Sequence, residues 1–230
     1  MIFKNKKILV LAAHPDDETI GCGGTIHLAS KQGCKIKVIF LGEGVSTRFP
    51  NKEYSQQSLE AKKNREKEAI NALKALNVEK FEFGSKLCTQ FDKYPLIEFV
   101  RTIENEIRIF KPNIIFTHSD TETNIDHNIS YNATMIACRP LEILRIEHIF
   151  SFETVCSGNF FYKQKFNPNF YVDIKKAFKQ KIKAMKCYKK ELREYPHPRS
   201  IKGLEIQARF RGMQSGLEFA EGFKLERSII

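Results

Sequence analysis

Apolar residues in this chain fall in short runs separated by stretches with helical spacing. Ile8–Ala13 (ILVLAA) is continuous enough to read as a strand covered on both faces, and Ile36–Leu41 (IKVIFL) reads as a second strand. Asn113–Thr117 and Glu147–Phe152 read as two more strands, and Lys80–Phe83 as a weaker one. Between them the apolar period changes. Ala69, Ile70, Leu73 and Leu76 place a helix over Gln56–Leu76, and Leu96, Val100, Ile103, Ile107 and Phe110 define a clean amphipathic one. Gly21–Gln32 and His127–Cys138 are also read as helices, the second ending near Pro140. Ile174, Phe178, Ile182, Met185 and Tyr188 form a last stripe, with Lys175, Lys179, Lys183 and Lys190 on its opposite side. Gly42–Ser55 lacks periodicity and reads as a long loop; Ser157-Gly158-Asn159 and Asn167-Pro168-Asn169 read as turns. Strands alternating with helices predict βαβ units, hence an α/β fold with a mainly parallel sheet between helical layers. With 230 residues and no linker, the expectation is a single domain, 1–230.

Charge changes this picture in one region. The chain carries a formal net charge of +11, and thirteen Lys or Arg stand against three Glu between Lys175 and Arg211. Such a segment points to an anionic partner or to a solvated lysine face. No nucleic-acid-binding module is recognisable. No apolar run is long enough to span a membrane, which leaves peripheral membrane contact as the remaining lipid option. Lys4, Lys6 and Lys7 before Ile8–Ala13 imitate a secretion leader, but the run is too short and an acidic motif follows at once. Six cysteines without CxxC spacing read as unpaired thiols in a reducing compartment, so the expected location is the cytoplasm.

Candidate chemistry sits at strand ends, where open α/β sheets build their sites. The first strand runs into His14-Pro15-Asp16-Asp17-Glu18. A His with a nearby carboxylate at a strand end is half of a metal site. The fourth strand leads to Asn124-Ile125-Asp126-His127, at the opening of the next helix. If both strand ends share one edge, two imidazoles and a carboxylate with a vacant fourth position describe a catalytic zinc site. Taken alone, Asn124 and Asp126 read equally as helix caps, and each His as locally satisfied.

His14-Pro15-Asp16-Asp17-Glu18 with Gly21-x-Gly23-Gly24 resembles the signature of the PIG-L (LmbE-like) family of zinc-dependent deacetylases, and Asn124-x-Asp126-His127 resembles its second metal motif. Gly42-Glu43, Arg65-x-x-Glu68-Ala69, Asp92 and Arg139-Pro140 extend the match. His197-Pro198-Arg199-Ser200, Arg211-Gly212 and Ala220-Glu221-Gly222-Phe223 are similar to a bacterial subgroup. The resemblance implies a Rossmann-like three-layer α/β/α fold and hydrolysis of an N-acyl group, usually acetyl, from an amino sugar. It implies His14, Asp17 and His127 as zinc ligands and Asp16 as general base, with Glu43, Arg65 and Asp92 near the substrate. Iron(II) or cobalt suit the same ligands. The chemistry wants this division, since one carboxylate cannot easily be both ligand and free base. Where many members have a His before the metal-binding His, this chain has Asn124, whose amide donates a hydrogen bond but carries no charge. His197 or His118 are candidates for the missing cation. Asp126 is expected to orient a ligand imidazole. Asp120 is placed either on sugar hydroxyls or facing water, and His197 and Arg199 in an anion-contacting loop or a plain surface turn.

Rival functions are weaker. The glycines invite a dinucleotide site, but position 26 is Ile, so GxGxxG fails. A metal-dependent phosphoester hydrolase needs more carboxylates than these motifs supply. A relative that binds a sugar or nucleotide without catalysis would not need Asp16, Asp17 and His127 together. The expected substrate is a small N-acetylated sugar bearing an anionic group, nucleotide- or lipid-linked.

Overall fold

The computed structural model describes residues 2–52, 54–140, 146–157 and 164–230. Seven strands form one sheet: β1 (Lys7–Ala12), β2 (Lys35–Gly42), β3 (Lys80–Lys86), β4 (Ile114–His118), β5 (His148–Phe152), β6 (Phe170–Asp173) and β7 (Ala220–Ser228), in the order β3-β2-β1-β4-β5-β7-β6. The first five are mutually parallel; β7 runs antiparallel to both β5 and β6. Among the described residues six α-helices accompany them: α1 (Asp17–Lys31), α2 (Gln56–Ala75), α3 (Leu96–Phe110), α4 (Ile125–Ala137), α5 (Phe178–Met185) and α6 (Ile201–Ser215).

The central strands bury both faces, which is why they read as apolar-rich runs, unbroken from Ile8 in β1. Ile8, Val10 and Ala12 of β1 pack with α1, α2 and α5 on one side. Leu9 and Leu11 pack with α3 and α4 on the other. The result is the three-layer α/β/α arrangement. After β3 the chain crosses back over β1 to lay down β4, so the strand order reverses between β1 and β4. The carboxyl ends of these two strands therefore flank the crevice where this architecture binds ligands.

Three elements lie outside the sequence reading: β6, β7 and α6. Helix α1 begins at Asp17, not at Gly21, because Asp17 and Glu18 favour the positive end of a helix. Helix α5 covers only Phe178–Met185 of the longer stripe. Of the expected turn at 157–159, Gly158 and Asn159 lie outside the described residues.

Helix α1 is broken at Cys22, whose φ of −142° is not helical. In an unbroken helix the Gly24 amide would donate to the Ile20 carbonyl. Here Lys181 Nζ donates to Ile20 O at 2.7 Å, and Glu221 accepts from Gly24 N at 2.9 Å and Thr25 N at 2.7 Å. Lys181 and Glu221 pair at 2.6 Å, and both are buried. A buried ion pair thus splices the two half-helices. Gly21 and Gly24 permit the helix to lie close: a Cβ on Gly21 would stand 2.2 Å from the Phe152 ring, and one on Gly24 2.8 Å from Ile174. These glycines serve packing rather than phosphate binding.

Candidate active site

The turn after β1 is held under strain. Asp16 adopts φ 121°, a conformation that costs a non-glycine residue roughly 1–3 kcal/mol. The surroundings impose it. Arg65 Nη1 donates to Pro15 O at 2.8 Å, Asp16 N donates to Glu18 Oε2 at 3.0 Å, and Asp16 O accepts from Thr19 N and Ile20 N. Glu18 is itself fixed by the Tyr188 hydroxyl at 2.8 Å. The next residue, Asp17, points back to the strand end, its Oδ2 accepting from His14 N at 2.8 Å.

Around Asp17 stand three imidazoles. His14 Nδ1 lies 3.6 Å from Oδ2, His118 Nε2 3.4 Å from Oδ2 and His127 Nε2 3.5 Å from Oδ1. The His14 and His127 ring centroids are 5.7 Å apart, although the residues are separated by more than a hundred positions. One ligand atom from each of His14, Asp17 and His127 lies within 4.8 Å of the others. The far nitrogen of each of these rings is taken by a buried carboxylate. Asp126 Oδ2 is 2.8 Å from His14 Nε2, and Glu122 holds His127 Nδ1. Each ring therefore turns its remaining nitrogen toward Asp17, which is the donor set and orientation a divalent metal requires. Asp126 is anchored in turn by the amides of Thr89 and Phe91, the latter at 3.0 Å.

His118 does not join this set from the cleft. It is fully buried behind His127, stacked at 4.0 Å, and its Nε2 accepts the Ala13 amide at 2.9 Å. A nitrogen that accepts a hydrogen bond carries no proton, so this ring is neutral there and offers no charge to a substrate. His197 also stays out of the cleft, its Nδ1 accepting from Arg199 N at 3.1 Å.

Burial and charge set the protonation states. Burial pushes the Asp16 carboxyl up to about 7, aided by the neighbouring Asp17 and opposed by Arg65 and Arg199. Burial also acts on Asp17, but the neighbouring imidazoles, His127 foremost, outweigh it and hold its carboxyl well below the usual range. Burial lowers His127 to about 4 and raises Glu122 to about 8. For His14 burial is outweighed by Cys88, Asp126 and Asp17, and its pKa rises.

A cleft of about 430 Å³ opens over these groups. His14, Asp16, Asp17, Asn124 and His127 form its floor; Arg65, Arg193 and Arg199 form part of its wall. Asn124 is the N-cap of α4, its Oδ1 accepting from Asp126 N at 3.0 Å. That bond fixes the amide, so Nδ2 faces His127 Nε2 at 3.2 Å and the cleft. The cap and the site residue are one side chain. Arg199 Nη1 is 3.5 Å from Asp16 Oδ2 and 3.0 Å from Glu191 Oε2, while Arg65 Nη1 stands 4.0 Å from Asp16. Buried Glu191 also pairs with Arg48 and Arg65, gathering three arginines on one wall.

Other sequence candidates stand elsewhere. Glu43 spends its carboxylate on the amides of Val45 (2.9 Å), Ser46 (3.1 Å) and Cys88 (2.9 Å), so it builds the loop over the cleft and does not line it. Asp92 is exposed and Asp120 half-buried beside Ser119; neither lines the cleft. Sequence reasoning missed Glu122, Glu191 and Thr154, whose amide donates to Glu122. Only Glu122 left a signal, as a second acid beside Asp120 in the polar loop after β4.

Comparison with known proteins bears on the family and the fold. Residues 9–138 match the family described as PIG-L: GlcNAc-PI de-N-acetylase. The diacetylchitobiose deacetylase of Thermococcus kodakarensis is 26% identical over 241 residues, covering 97% of this chain and 84% of that protein. YaiS of Escherichia coli K12, described as an uncharacterized deacetylase, is 26% identical over 192 residues, covering 81% and 92%. Among solved structures, the 4-carboxy-2-hydroxymuconate hydratase GalB of Pseudomonas putida KT2440 superposes with a TM-score of 0.78 at 19% identity, covering 98% of each chain. That likeness concerns the fold.

Proposed function

This chain belongs to the PIG-L family, and we propose that it hydrolyses the N-acetyl group of an amino sugar. The observation that carries the reading is the convergence of His14, Asp17 and His127 beneath an open cleft, with the Asp16 carboxylate beside them. A fold shared with a hydratase does not choose the reaction; these residues do. The curated Thermococcus relative, a deacetylase of an acetylated amino sugar by name, supports the same choice.

His14, Asp17 and His127 would hold one divalent metal, zinc by ligand type, with iron(II) or cobalt suited to the same donors. When bound, such an ion polarises a carbonyl and brings the pKa of water down to roughly 7. The remaining work falls to the protein. Asp16 lines the cleft and accepts the proton of the attacking water at its carboxylate, then returns it to the departing amine nitrogen. Asn124 Nδ2, fixed by the cap, donates to the oxygen that becomes negative at the acyl carbon. Asp126 and Glu122 keep the rings of His14 and His127 turned inward. Arg193 and Arg199 line the wall at the basic segment, and Arg193 has no carboxylate partner among the described residues. They support a substrate carrying an anionic group, such as a nucleotide-linked amino sugar.

The test is a panel of N-acetyl amino sugars, free and nucleotide-linked, with metal-loaded protein. Acetate and free amine should appear in equal amounts. Inorganic phosphate from phosphoesters, or full metal loading without turnover on any panel member, would overturn the reading. Equal specificity for free and anionic sugars at low and high salt would remove the anionic group from it.

A further inference from the structure

The cleft contains a second group of metal-binding atoms that the proposed reaction does not use. One ligand atom from each of His14, Cys88 and Asp126 lies within 4.8 Å of the others. Cys88 is half-buried and lines the cleft, so an ion has a path to it. Both protein donors flanking the His14 ring are fixed in place. The Cys88 amide donates to Glu43 Oε1 at 2.9 Å and Ser46 Oγ at 2.8 Å, and Asp126 is anchored by the Thr89 and Phe91 amides. Donors around a tetrahedral ion with Zn–S of about 2.3 Å and Zn–N of about 2.0 Å sit roughly 3.5 Å apart; His14 Nε2 and Asp126 Oδ2, now 2.8 Å apart, must part by under an ångström, and the Cys88 sulfur, within 4.8 Å of its partners, need close by little more than an ångström at most.

We propose that Cys88, His14 and Asp126 form a second, inhibitory metal position that captures thiophilic divalent ions such as Cd2+ or excess Zn2+. Thiolate selects soft ions over Mg2+ or Ca2+. Binding releases the Cys88 thiol proton and the proton shared between His14 Nε2 and Asp126, whose 2.8 Å hydrogen bond is lost. His14 thereby loses the contact that orients it toward Asp17. The binding arm stands on the atoms alone; the inhibitory arm rests on the deacetylase reading.

Protein loaded with one equivalent of its first metal is titrated with Cd2+, and three readouts are taken. The ultraviolet thiolate-to-metal charge-transfer band should rise to one further equivalent. Site-specific mass spectrometry should show Cys88 protected from iodoacetamide by Cd2+, with Cys156 and Cys187 unprotected. Cys88→Ser should abolish the band while retaining the first equivalent of metal. On an N-acetyl amino sugar that the parent deacetylates, excess Zn2+ or Cd2+ should inhibit the parent at least tenfold more strongly than Cys88→Ser, each relative to its own uninhibited rate. A band that persists in Cys88→Ser, or Cys88 alkylation unchanged by Cd2+ in the parent, overturns the site. Since alkylation is read in the parent, the result does not depend on how the variant folds. Cd2+ protection without turnover on any N-acetyl sugar would sink the deacetylase reading and leave the site standing.

Discussion

Lys181→Met tests the splice in α1. The substitution keeps the aliphatic stem and removes the Nζ that serves Ile20 O and Glu221. Glu221 is then a buried carboxylate, its side chain 3% exposed, left with the Gly24 and Thr25 amides as its partners among the described residues. Removing one partner of a buried ion pair costs about 3–5 kcal/mol. At about 2–4 °C per kcal/mol for a chain of this size, Tm should fall by roughly 6–20 °C. Because Ile20 lies in the same half-helix as Asp17, the first metal should also bind more weakly. Adding Glu221→Gln removes the stranded charge, and the double variant should recover much of the loss, giving a coupling above about 1 kcal/mol in the double-mutant cycle. The assays are thermal and urea unfolding with metal analysis of each protein. A single variant within about 0.5 kcal/mol of the parent, the range of an ordinary surface change, would refute the reasoning.

The remaining predictions concern the cleft. His127→Ala should lose both metal and activity; elemental analysis showing stoichiometric metal would contradict its place as a ligand. Asp16→Asn should keep the metal and lose roughly two or more decades of kcat, so near-normal turnover would exclude it as the base. Glu122→Gln should weaken metal affinity by roughly 10–100-fold through the freed His127 ring, measured by competition with a chelator; unchanged affinity would make Glu122 a matter of packing alone.

The sheet was legible where both faces are covered, since β1 shows as an unbroken apolar run from Ile8 and β2 and β4 as apolar-rich ones. Helix α3 was legible because Phe99, Val100, Ile103, Ile107 and Phe110 all face the core. Helix α6 was not: Leu204 and Ala208 are buried, but Ile206, Phe210 and Met213 are exposed, so its apolar residues share no face. Strand β7 mixes Glu221, Lys224, Glu226 and Arg227 with Phe223 and Leu225, and these charges hid it. At the site, strand ends drew attention to His14, Asp16, Asp17 and His127. The partners that orient them were harder to find. Asp126 could be named, but only coordinates say that it holds His14 and that Glu122 holds His127. Glu43 carries an acid at a strand end too, yet its oxygens are spent on amides, a distinction no residue pattern contains.

The cleft draws its two halves from separate stretches of chain. The reactive floor comes from residues 14–17 and 124–127, whereas Thr154–Ser157 and Glu191–Arg199 supply much of the facing wall. Substrate choice can therefore drift, or be re-engineered, by rewriting the later stretch around Glu191 and Arg199, which brace Arg65 and Asp16 and have to be kept. A chimera that borrows only this wall from a relative should inherit the donor's preferences and keep its own chemistry.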